Sequence, residues 1–547
     1  MRRLVTAAGF SLAFLVVNDG TLGAQSTTAR RQNHDHHDSG APEQLGTITW
    51  RTSAAPAAHA QFIRGVLYMH NFHYPEAIQA FQAAQKRDAG DVMSYWGEAM
   101  AHTHAVWNEQ DTTAARSALR RLAPTRAARL ARARTGRERA WLDAAETLYD
   151  GDAPKARRDT MYAAAMERLH AADPRDPEAA TFFALALLGL NQGQRDTVAY
   201  SRAYAIAESV FVAYPNHPGA AHYLIHAVDD PDHARLGLRA AEHYSRIAPS
   251  AGHAQHMTSH IFMALGMWSD VVAANERAQA ANPFLSGHVV SWLFYGLLQQ
   301  GRYTDAERWL DSMVAQAKGA KAGARRAGSM QAAAEMSAAW NAGTQRWSDR
   351  AALVRVDTTD TDATVALLGT GLGAIARGER MLADSMLAGI VAARTADSLR
   401  LATAGVVQPE DVTWQGLARI RDHTLRAMIL RAAGKKDTAL ALLRAAAAID
   451  RTLPVEFGPP NTFKPPHEAA GELLLEMRRF PEAENEFRLA LERTPKRSAS
   501  LLGFARSARA QSKTADAARR YAELAAIWQR ADAGLPDVAE ARAGARR

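Results

Sequence analysis

Residues 215–249 read PNHPGAAHYLIHAVDDPDHARLGLRAAEHYSRIAP, a stretch bounded by two prolines that lie thirty-four positions apart. A third proline, Pro283, follows at the same interval. The same period returns near the C-terminus, where three small or aromatic positions recur one period later: Gly471, Ala483 and Phe487 correspond to Ala505, Ala517 and Tyr521. A fixed period of roughly 20–50 residues indicates an array of stacked supersecondary units.

Within each unit the residue pattern is helical. Ala, Leu, Arg and Glu recur at spacings of three and four residues, and the alternation typical of strands is scarce. Near the start of the array, Gly65, Tyr68, Ala77, Phe81 and Ala84 alternate small and large residues. We therefore expect an all-α chain of helical hairpins. A coiled coil is excluded because Pro and Gly interrupt the pattern about every 30 residues.

This pattern resembles the tetratricopeptide repeat superfamily, in which two antiparallel helices form each unit. The resemblance covers residues 56–535 and implies a helical-hairpin solenoid of about ten repeats, some degenerate, with a concave groove. One hairpin cannot bury its apolar face alone, so the units must stack. The best-defined units are 56–88, 216–249, 250–283, 284–318 and 465–497, and the weaker ones are 91–122, 177–215, 362–396, 418–450 and 498–531.

The pattern divides the chain into six predicted segments. They are a signal peptide (1–24), a flexible segment with histidines (25–55), a first array (56–318), an irregular connection (319–361), a second array (362–535) and a basic tail (536–547). Residues 453–466 contain five prolines and cannot form a helix interior. This loop either connects two units or folds over the groove, and we favour the connector.

The composition is that of a globular protein. The 547 residues carry a net charge of +8, with 22% charged and 7% aromatic residues, which argues against a disordered chain. The absence of cysteine excludes a disulfide scaffold, thiolate metal sites, iron–sulfur clusters and a cysteine nucleophile. The basic stretch Arg126–Arg139 is interpreted as a solvated helix face or connector, and no nucleic-acid partner is expected.

The N-terminus has the features of a secretory signal peptide. Met1, Arg2 and Arg3 precede an apolar run that is too short to span a membrane, and small residues end at Ala24. We expect export to the periplasm or secretion, with no integral membrane segment once residues 1–24 are removed. The following tract, His34–Asp38, either collects metal ions or is a solvated tail.

Two pairs of histidines recur at the repeat period. His222 and His226 lie four residues apart, as do His256 and His260, and the second pair follows the first by one full period. Spacing of four places both members of a pair on one helix face. Three further candidate ligands lie on this face or one turn beyond it: His253, Asp229 and Asp230.

Imidazoles on neighbouring helices suit a divalent transition metal, with zinc, iron and copper all open, and carboxylates could complete or orient the ligand set. The alternative is that repeat duplication copied histidines whose role is only to satisfy buried hydrogen bonds. The chain contains no HExxH motif, glycine-rich phosphate loop or dinucleotide fingerprint. No nucleotide or flavin cofactor is therefore expected.

The tetratricopeptide resemblance implies that the paired histidines point into the concave groove. The same alignment assigns six more residues to the groove: His59, His70, Trp96, His104, Glu468 and Glu472. The two glutamates take the positions that His222 and His226 occupy in their own unit. They would face the histidines if the superhelix curls round.

The stretches 217–234 and 251–268, with MHNFHYPEAI and YWGEAMAHTHAVW near the start, are similar to a group of bacterial exported tetratricopeptide proteins with paired HxxxH helices. A more distant similarity extends to tetratricopeptide repeat protein 38. The group implies a fold and no particular reaction. Our leading hypothesis is an exported scaffold whose groove binds a protein or peptide segment and carries a histidine-rich metal site.

Two other functions stay open. A metal-dependent enzyme, hydrolytic or oxidative, would use the histidines as its active site and Asp229, Asp230, Glu468 or Glu472 as a proton acceptor. A metal carrier would use the His34–Asp38 tract to load the cluster.

Overall fold

The computed structural model describes residues 43–546 apart from 150, 191–194, 282–283, 357–361, 406, 408 and 456–457. The expected signal peptide and the His34–Asp38 tract lie outside the described residues. The described part of the chain is an all-α solenoid of helical hairpins, with one two-stranded β-hairpin.

The first part of the array consists of these helices: α1 (Pro56–His70), α2 (Tyr74–Arg87), α3 (Val92–Met100), α4 (Thr112–Leu122), α5 (Arg126–Leu130), α6 (Gly136–Tyr149), α7 (Lys155–Ala172), α8 (Pro177–Leu188) and α9 (Thr197–Ala213). The central hairpins follow: α10 (Pro218–Val228), α11 (Ala234–Ile247), α12 (Gly252–Ala264), α13 (Trp268–Ala280), α14 (Gly287–Gln299) and α15 (Tyr303–Gly319).

The remaining helices are α16 (Ala324–Gly343), α17 (Ala363–Ala376), α18 (Arg380–Thr403), α19 (Pro409–Ala432), α20 (Lys436–Asp450), α21 (Pro466–Glu476), α22 (Phe480–Arg493), α23 (Ser498–Ala510), α24 (Thr514–Ile527) and α25 (Pro536–Gly544). Short 3₁₀ helices span Ala105–Trp107, Arg350–Leu353 and Trp528–Arg530, and two short strands, β1 (Thr103–His104) and β2 (Glu109–Gln110), pair antiparallel.

The repeat pattern folds as hairpins because small residues of the first helix make room for an aromatic ring from the second. A Cβ atom on Gly65 would lie 2.6 Å from the ring of Phe81, and one on Gly97 of the next unit would lie 2.3 Å from it. Phe487 is enclosed in the same way by Gly471 and Gly503. The ring thus fixes both the hairpin and its stacking on the next unit.

The segment before the first helix differs from the expectation that residues 25–55 are flexible. In its described part, residues 43–55, Leu45 and Trp50 are buried. The Trp50 ring centroid lies 5.1 Å from that of Trp96 and 4.5 Å from that of Trp141. Apolar side chains therefore anchor this segment against the first hairpins, despite its polar composition.

Two other expected irregular regions are also helical. The connection 319–361 contains the 20-residue helix α16, whose Ala338 packs so closely on α17 that a Cβ on Gly369 would lie 2.8 Å from its Cα. The tail 536–547 contains α25, in which Glu540 accepts hydrogen bonds from Arg506 and Gly544 packs on the ring of Tyr521. These segments rich in small residues, which were expected to be irregular, form helices that pack closely on their neighbours.

The basic stretch Arg126–Arg139 lies against acidic residues of the neighbouring helices. The buried Arg129 donates to Glu146 at 2.5 Å and 2.7 Å, and Arg134 and Arg137 pair with Asp88 and Asp176. These arginines are therefore neutralised within the fold.

The second array curls back onto the central hairpins. Trp268 Nε1 donates to the carbonyl of Lys496 at 2.9 Å, and Ser498 N donates to Gln299 Oε1 at 2.9 Å. Arg497, which is buried, donates to the hydroxyl of Tyr295 at 2.7 Å. The two predicted arrays are thus joined far from their chain connection. No helix among the described residues has the length and apolarity needed to cross a bilayer.

Candidate metal centre

Three helices that open consecutive hairpins carry the histidines. α10 contributes His222 and His226, α12 contributes His253, His256 and His260, and α14 contributes one histidine that the sequence analysis missed, His288. The members of each i,i+4 pair lie on one face of their helix, as the spacing predicts, and all four side chains are buried. They meet between adjacent helices, so the histidines form a continuous row.

One group in this row is formed by His222, His226 and His253. Each offers a ring nitrogen, and the three nitrogens lie within 4.8 Å of one another. Nε2 of His222 is 3.2 Å from Nε2 of His253. Within the part of the chain that the structure describes, Nε2 of His226 is buried and has no hydrogen-bond partner.

A second group is formed by His256, His260 and His288, again with nitrogens within 4.8 Å of one another. Nε2 of His256 lies 3.3 Å from Nε2 of His260. The rings of His256 and His288 have centroids 4.6 Å apart. Because His288 is half-buried, this end of the row lies nearer to solvent.

Hydrogen bonds fix the proton positions on three of these rings. Nδ1 of His222 donates to the main-chain carbonyl of His70 at 2.7 Å. Nδ1 of His256 donates at 2.7 Å to Oδ1 of Asn275, whose amide nitrogen is already donating to the carbonyl of Val271. Nδ1 of His260 lies 3.0 Å from Oδ2 of Asp229. In neutral rings, the Nε2 atoms therefore carry lone pairs.

The pair His256–His260 consequently brings two nitrogen lone pairs together at 3.3 Å. In neutral rings neither atom has a proton to donate to the other, and a cation bound by both nitrogens would remove the repulsion between their lone pairs. Two nitrogens bound at 2.0–2.1 Å to one tetrahedral zinc ion are separated by about 3.3 Å. The spacing and chemistry of the pair fit a shared metal ion.

Burial favours the neutral form of four of these imidazoles. Burial is the largest cause that lowers the pKa of His222, His253 and His256 well below the usual value, and neighbouring histidines lower the pKa further. Burial also lowers the pKa of His260, although the Asp229 carboxylate opposes it. Neutral imidazole is the form that binds metal ions.

Asp229 and Asp230 have separate roles. Burial raises the pKa of Asp229, but Arg195, His226 and His260 outweigh it and hold the pKa well below its usual range. Asp229 is therefore an ionised carboxylate that orients histidines, as outer residues of metal sites do. Asp230 instead contacts Arg195 and His233.

Aromatic rings wall the row. Phe72, which adopts a left-handed backbone conformation with φ of 56°, lies 4.2 Å from His222 between ring centroids. Trp292 stacks on His260 at 4.5 Å, and Trp107 lies 6.1 Å from His253 and is 38% exposed. These rings exclude water from most of the row and leave one aromatic side chain at its edge.

The proline-rich loop covers the groove at this point. Gly458 packs on Trp292, because a Cβ at this position would lie 2.8 Å from the indole ring. A cleft between the loop and the helices is lined by Asp229, His260 and Pro460, among others. The simple connector that we favoured for residues 453–466 is therefore wrong, and the loop is part of the wall of the site.

A further buried group, formed by His70, Glu178 and His217, is less suited to a metal. His217 Nδ1 accepts the amide hydrogen of Ala220 at 3.2 Å, so a neutral ring carries its proton on Nε2, facing Glu178. His70 Nε2 contacts the same carboxylate at 2.9 Å. Burial raises the pKa of Glu178, but His217 and His70 bring it down to about 2. The group is therefore a carboxylate paired with two histidines, rather than a set of nitrogen lone pairs that could bind a metal ion.

The other predicted groove residues do not join the histidine row. His59 Nε2 contacts the carbonyl of Trp50 at 2.7 Å, and Trp96 is fully buried beneath that segment. His104 lies in β1 rather than on a helix, stacked on Tyr74 with ring centroids 4.1 Å apart. His70 touches the row only through its carbonyl group.

The two glutamates of the late unit do not meet the histidines either. Glu468 accepts hydrogen bonds from Arg497 at 2.7 Å and from Ser500 at 2.6 Å, and Lys464 lies between Glu468 and Glu472. The array does curl round, but cations of the second array hold these carboxylates. These carboxylates therefore help to hold the second array together where it meets the central hairpins.

The sequence signals for the missed residues were weak. His288 follows His253 by one position more than the repeat period, so it falls out of register. Asn275, Phe72 and Trp292 carry no metal-ligand pattern, and only the fold shows that they contact the histidines.

Comparisons with known proteins give no closer assignment. No protein family and no curated protein matches the sequence. The yeast Tom70 structure is similar at 12% identity and a TM-score of 0.29, covering 89% of this chain and 96% of that chain. The human IFIT1 dimer with PPP-AAAA is similar at 13% identity and a TM-score of 0.32, covering 90% and 91%. Because these TM-scores are low, the description of the fold rests on the hairpins themselves.

Proposed function

We propose that the protein is an exported helical-repeat scaffold that binds a divalent transition metal in its histidine row. The observation that carries the proposal is the 3.3 Å contact between Nε2 of His256 and Nε2 of His260, each with its proton held on the opposite nitrogen. A bound cation removes the repulsion between the two lone pairs. A histidine row that only satisfied hydrogen bonds would place a donor opposite each acceptor.

The available ligands narrow the choice of metal. The row offers imidazoles and one carboxylate and no thiolate, a donor set that suits zinc, copper or iron better than calcium or magnesium. Export is part of the proposal on sequence grounds alone, from the basic start, the apolar run and the small residues that end at Ala24.

A protein or peptide partner on the concave side also belongs to the proposal, because stacked hairpins present an extended surface. The surface around Trp96 is filled by residues 43–55 and is not a candidate. Trp107, which is 38% exposed beside the histidines, is the better probe of such binding. A set of partners cross-linked from periplasmic extract that is unchanged by Trp107→Ala would contradict this part of the proposal.

The metal is tested on untagged protein purified after growth in metal-replete medium. We expect at least one equivalent of a transition metal per chain in a variant whose N-terminal histidines His34, His36 and His37 are replaced by alanine. His256→Ala should abolish or greatly weaken binding at its site. His243→Ala, at an exposed histidine on α11, is the matched control and should retain the metal. Protein without stoichiometric metal would overturn the proposal.

A metal-dependent enzyme is the second candidate, and the three-ligand groups favour it. Three protein ligands leave one position for water or substrate at a tetrahedral ion, as in catalytic zinc sites. X-ray absorption of the metal-loaded protein should then show three nitrogen ligands and one light exogenous ligand. Four nitrogen ligands at each metal would indicate a closed site and argue for a structural or storage role.

A further inference from the structure

We propose that the histidine row holds two metal ions in two equivalent three-histidine sites, one for each of two consecutive repeats. The inference rests on the proposed metal-binding function and specifies its stoichiometry and ligands. The first site consists of His222, His226 and His253, and the second of His256, His260 and His288.

The two sites are copies of each other along the solenoid. His222 and His226 are replaced by His256 and His260 after exactly one repeat period, and His253 is replaced by His288 one position later than the period requires. In both sites a helix supplies an HxxxH pair and the first helix of the next hairpin supplies the third ligand. His253 and His288 are each the second residue of their helix, so the additional residue lies before α14 begins and both side chains hold the same place in their helices.

Each site contains one close pair of ring nitrogens, although the pair differs between the sites. Nε2 of His222 lies 3.2 Å from Nε2 of His253 in the first site, and Nε2 of His256 lies 3.3 Å from Nε2 of His260 in the second. Both distances are near the value expected for two ligands of one tetrahedral ion. Each site also includes a ring whose Nδ1 donates to an acceptor outside the row, the carbonyl of His70 for His222 and Asn275 for His256. Such bonds hold Nε2 toward the metal.

Asp229 links the two sites. Its Oδ2 accepts a hydrogen bond from Nδ1 of His260 at 3.0 Å and lies 3.6 Å from Nδ1 of His226, so it is close to the second histidine of each HxxxH pair. Nε2 of His226 is buried and has no hydrogen-bond partner among the described residues, which leaves it available to the first site. One carboxylate therefore orients a ligand of the second site and lies beside a ligand of the first.

The repeat positions after the two sites do not continue the pattern. The positions one period beyond His256 and His260 hold Val290 and Phe294. The row therefore ends after two copies. Since each copy provides three ligands, a ligand from solution completes each ion, and a small anion or water is of the right size for a site walled by aromatic rings.

The test is the zinc stoichiometry of the full chain carrying His34→Ala, His36→Ala and His37→Ala, measured by equilibrium dialysis and elemental analysis. We expect two zinc ions per chain. His253→Ala and His288→Ala should each leave one, and the combined variant should leave none. His243→Ala should retain two, and circular dichroism should show the same helix content in every variant.

The outcomes separate this inference from the function on which it rests. No zinc in the starting protein overturns both. A single zinc that is lost in either variant shows one ion shared across the row, for example between His226, Asp229 and His260, and overturns the two-site inference alone. Two zinc ions that persist in the combined variant place the metal elsewhere and also overturn it.

Discussion

At the residue scale, the properties of the site come from which nitrogen of each histidine holds the proton. A histidine with both nitrogens accessible can switch tautomers and satisfy many neighbours. Here three rings are each held by an acceptor that cannot donate in return, the carbonyl of His70, Oδ1 of Asn275 and the carboxylate of Asp229. The surrounding residues thus prepare lone pairs before any metal arrives, which lowers the reorganisation needed for binding.

Asn275 provides the first test at this scale. Asn275→Leu removes the acceptor for Nδ1 of His256, so the ring can place its proton on Nε2 and turn away from the metal. We expect zinc binding at this site to weaken by about 10–100-fold, the usual effect of losing a residue that orients a ligand. Competition with a chromophoric chelator measures the change. Asn275→Asp keeps an acceptor and should restore most of the affinity, and equal weakening in both variants would contradict the orienting role.

The pH dependence of stability is a second test. The pKa of His222 in the folded protein lies well below 6.5, chiefly because the ring is buried. At a pH between the pKa of His222 in the folded protein and its value of 6.5 in the unfolded chain, the unfolded chain binds a proton that the folded chain does not. Stability therefore falls as the pH drops below 6.5. In metal-free protein each such histidine contributes a slope that approaches about 1.4 kcal/mol per pH unit.

Urea unfolding of metal-free protein between pH 7.5 and pH 5.5 measures this slope. His222→Gln should reduce the slope by nearly the contribution of one titrating histidine, because glutamine does not titrate. Val198→Ala, at an exposed residue that does not titrate, should leave the slope unchanged. A slope that is the same in the wild type and in His222→Gln would show that burial does not lower the pKa of this ring.

The residue scale also shows what the sequence could predict of the site. The four paired histidines and His253 were predicted as candidates because helical spacing and repeat spacing coincide, and the structure places them in one row. Asn275 and the carbonyl of His70 were not predictable, since they reach the row from other helices. Asp230 follows the pair in sequence but pairs with Arg195 and His233 outside the row, which spacing alone does not reveal.

At the scale of elements, the hairpins were predictable because each depends on local pairs of residues. The small positions Gly65 and Gly471 pack on Phe81 and Phe487, contacts that lie within one unit and recur with the period. The segment 43–55, helix α16 and helix α25 were not predicted, because their stability depends on surfaces distant in sequence. Polar or small-residue composition is a poor guide where a few large apolar side chains provide the packing.

Trp50 tests the role of the N-terminal segment. Its ring is buried among Trp96, Trp141 and Phe182, with centroid distances of 4.5–5.9 Å. We expect Trp50→Ala to lower the free energy of unfolding by about 3–5 kcal/mol, as is usual for large buried aromatic residues. Val198→Ala, at a 76% exposed side chain on α9, is the control and should change it by less than about 0.5 kcal/mol. Equal stability of both variants would contradict the docking of residues 43–55.

At the scale of the whole molecule, the repeat pattern does not predict closure, the contact of the second array with the central hairpins. A solenoid whose units contact only their neighbours is stabilised locally and can unfold in parts. Here α21 and α23 of the second array reach α14 through Arg497, which donates to both Glu468 and Tyr295. The sequence identified Glu468 only by its repeat position, which His222 occupies in its own unit. The ion pair was not predictable, because Arg497 comes from the following unit. Closure couples the two arrays.

Arg497 therefore tests whether the molecule unfolds as one body. Arg497→Leu leaves the fully buried Glu468 without its main cation, and loss of one partner of a buried pair costs about 3–5 kcal/mol. Adding Glu468→Gln should recover part of this loss, because no unpaired carboxylate then remains. Arg488→Leu removes an exposed ion pair on α22 and should cost about 0.5 kcal/mol or less.

The shape of the unfolding curve tests the coupling between the two arrays more directly than the decrease in unfolding free energy does. If closure couples the arrays, the wild type unfolds in one transition by circular dichroism and tryptophan fluorescence. Most tryptophans lie before residue 350, and Trp414 and Trp528 are the exceptions, so fluorescence mainly follows the first array. In Arg497→Leu the fluorescence and dichroism transitions should separate, because each array then unfolds with its own stability. Coincident transitions in the variant would show that the remaining contacts, such as Trp268 with Lys496, suffice to join the arrays.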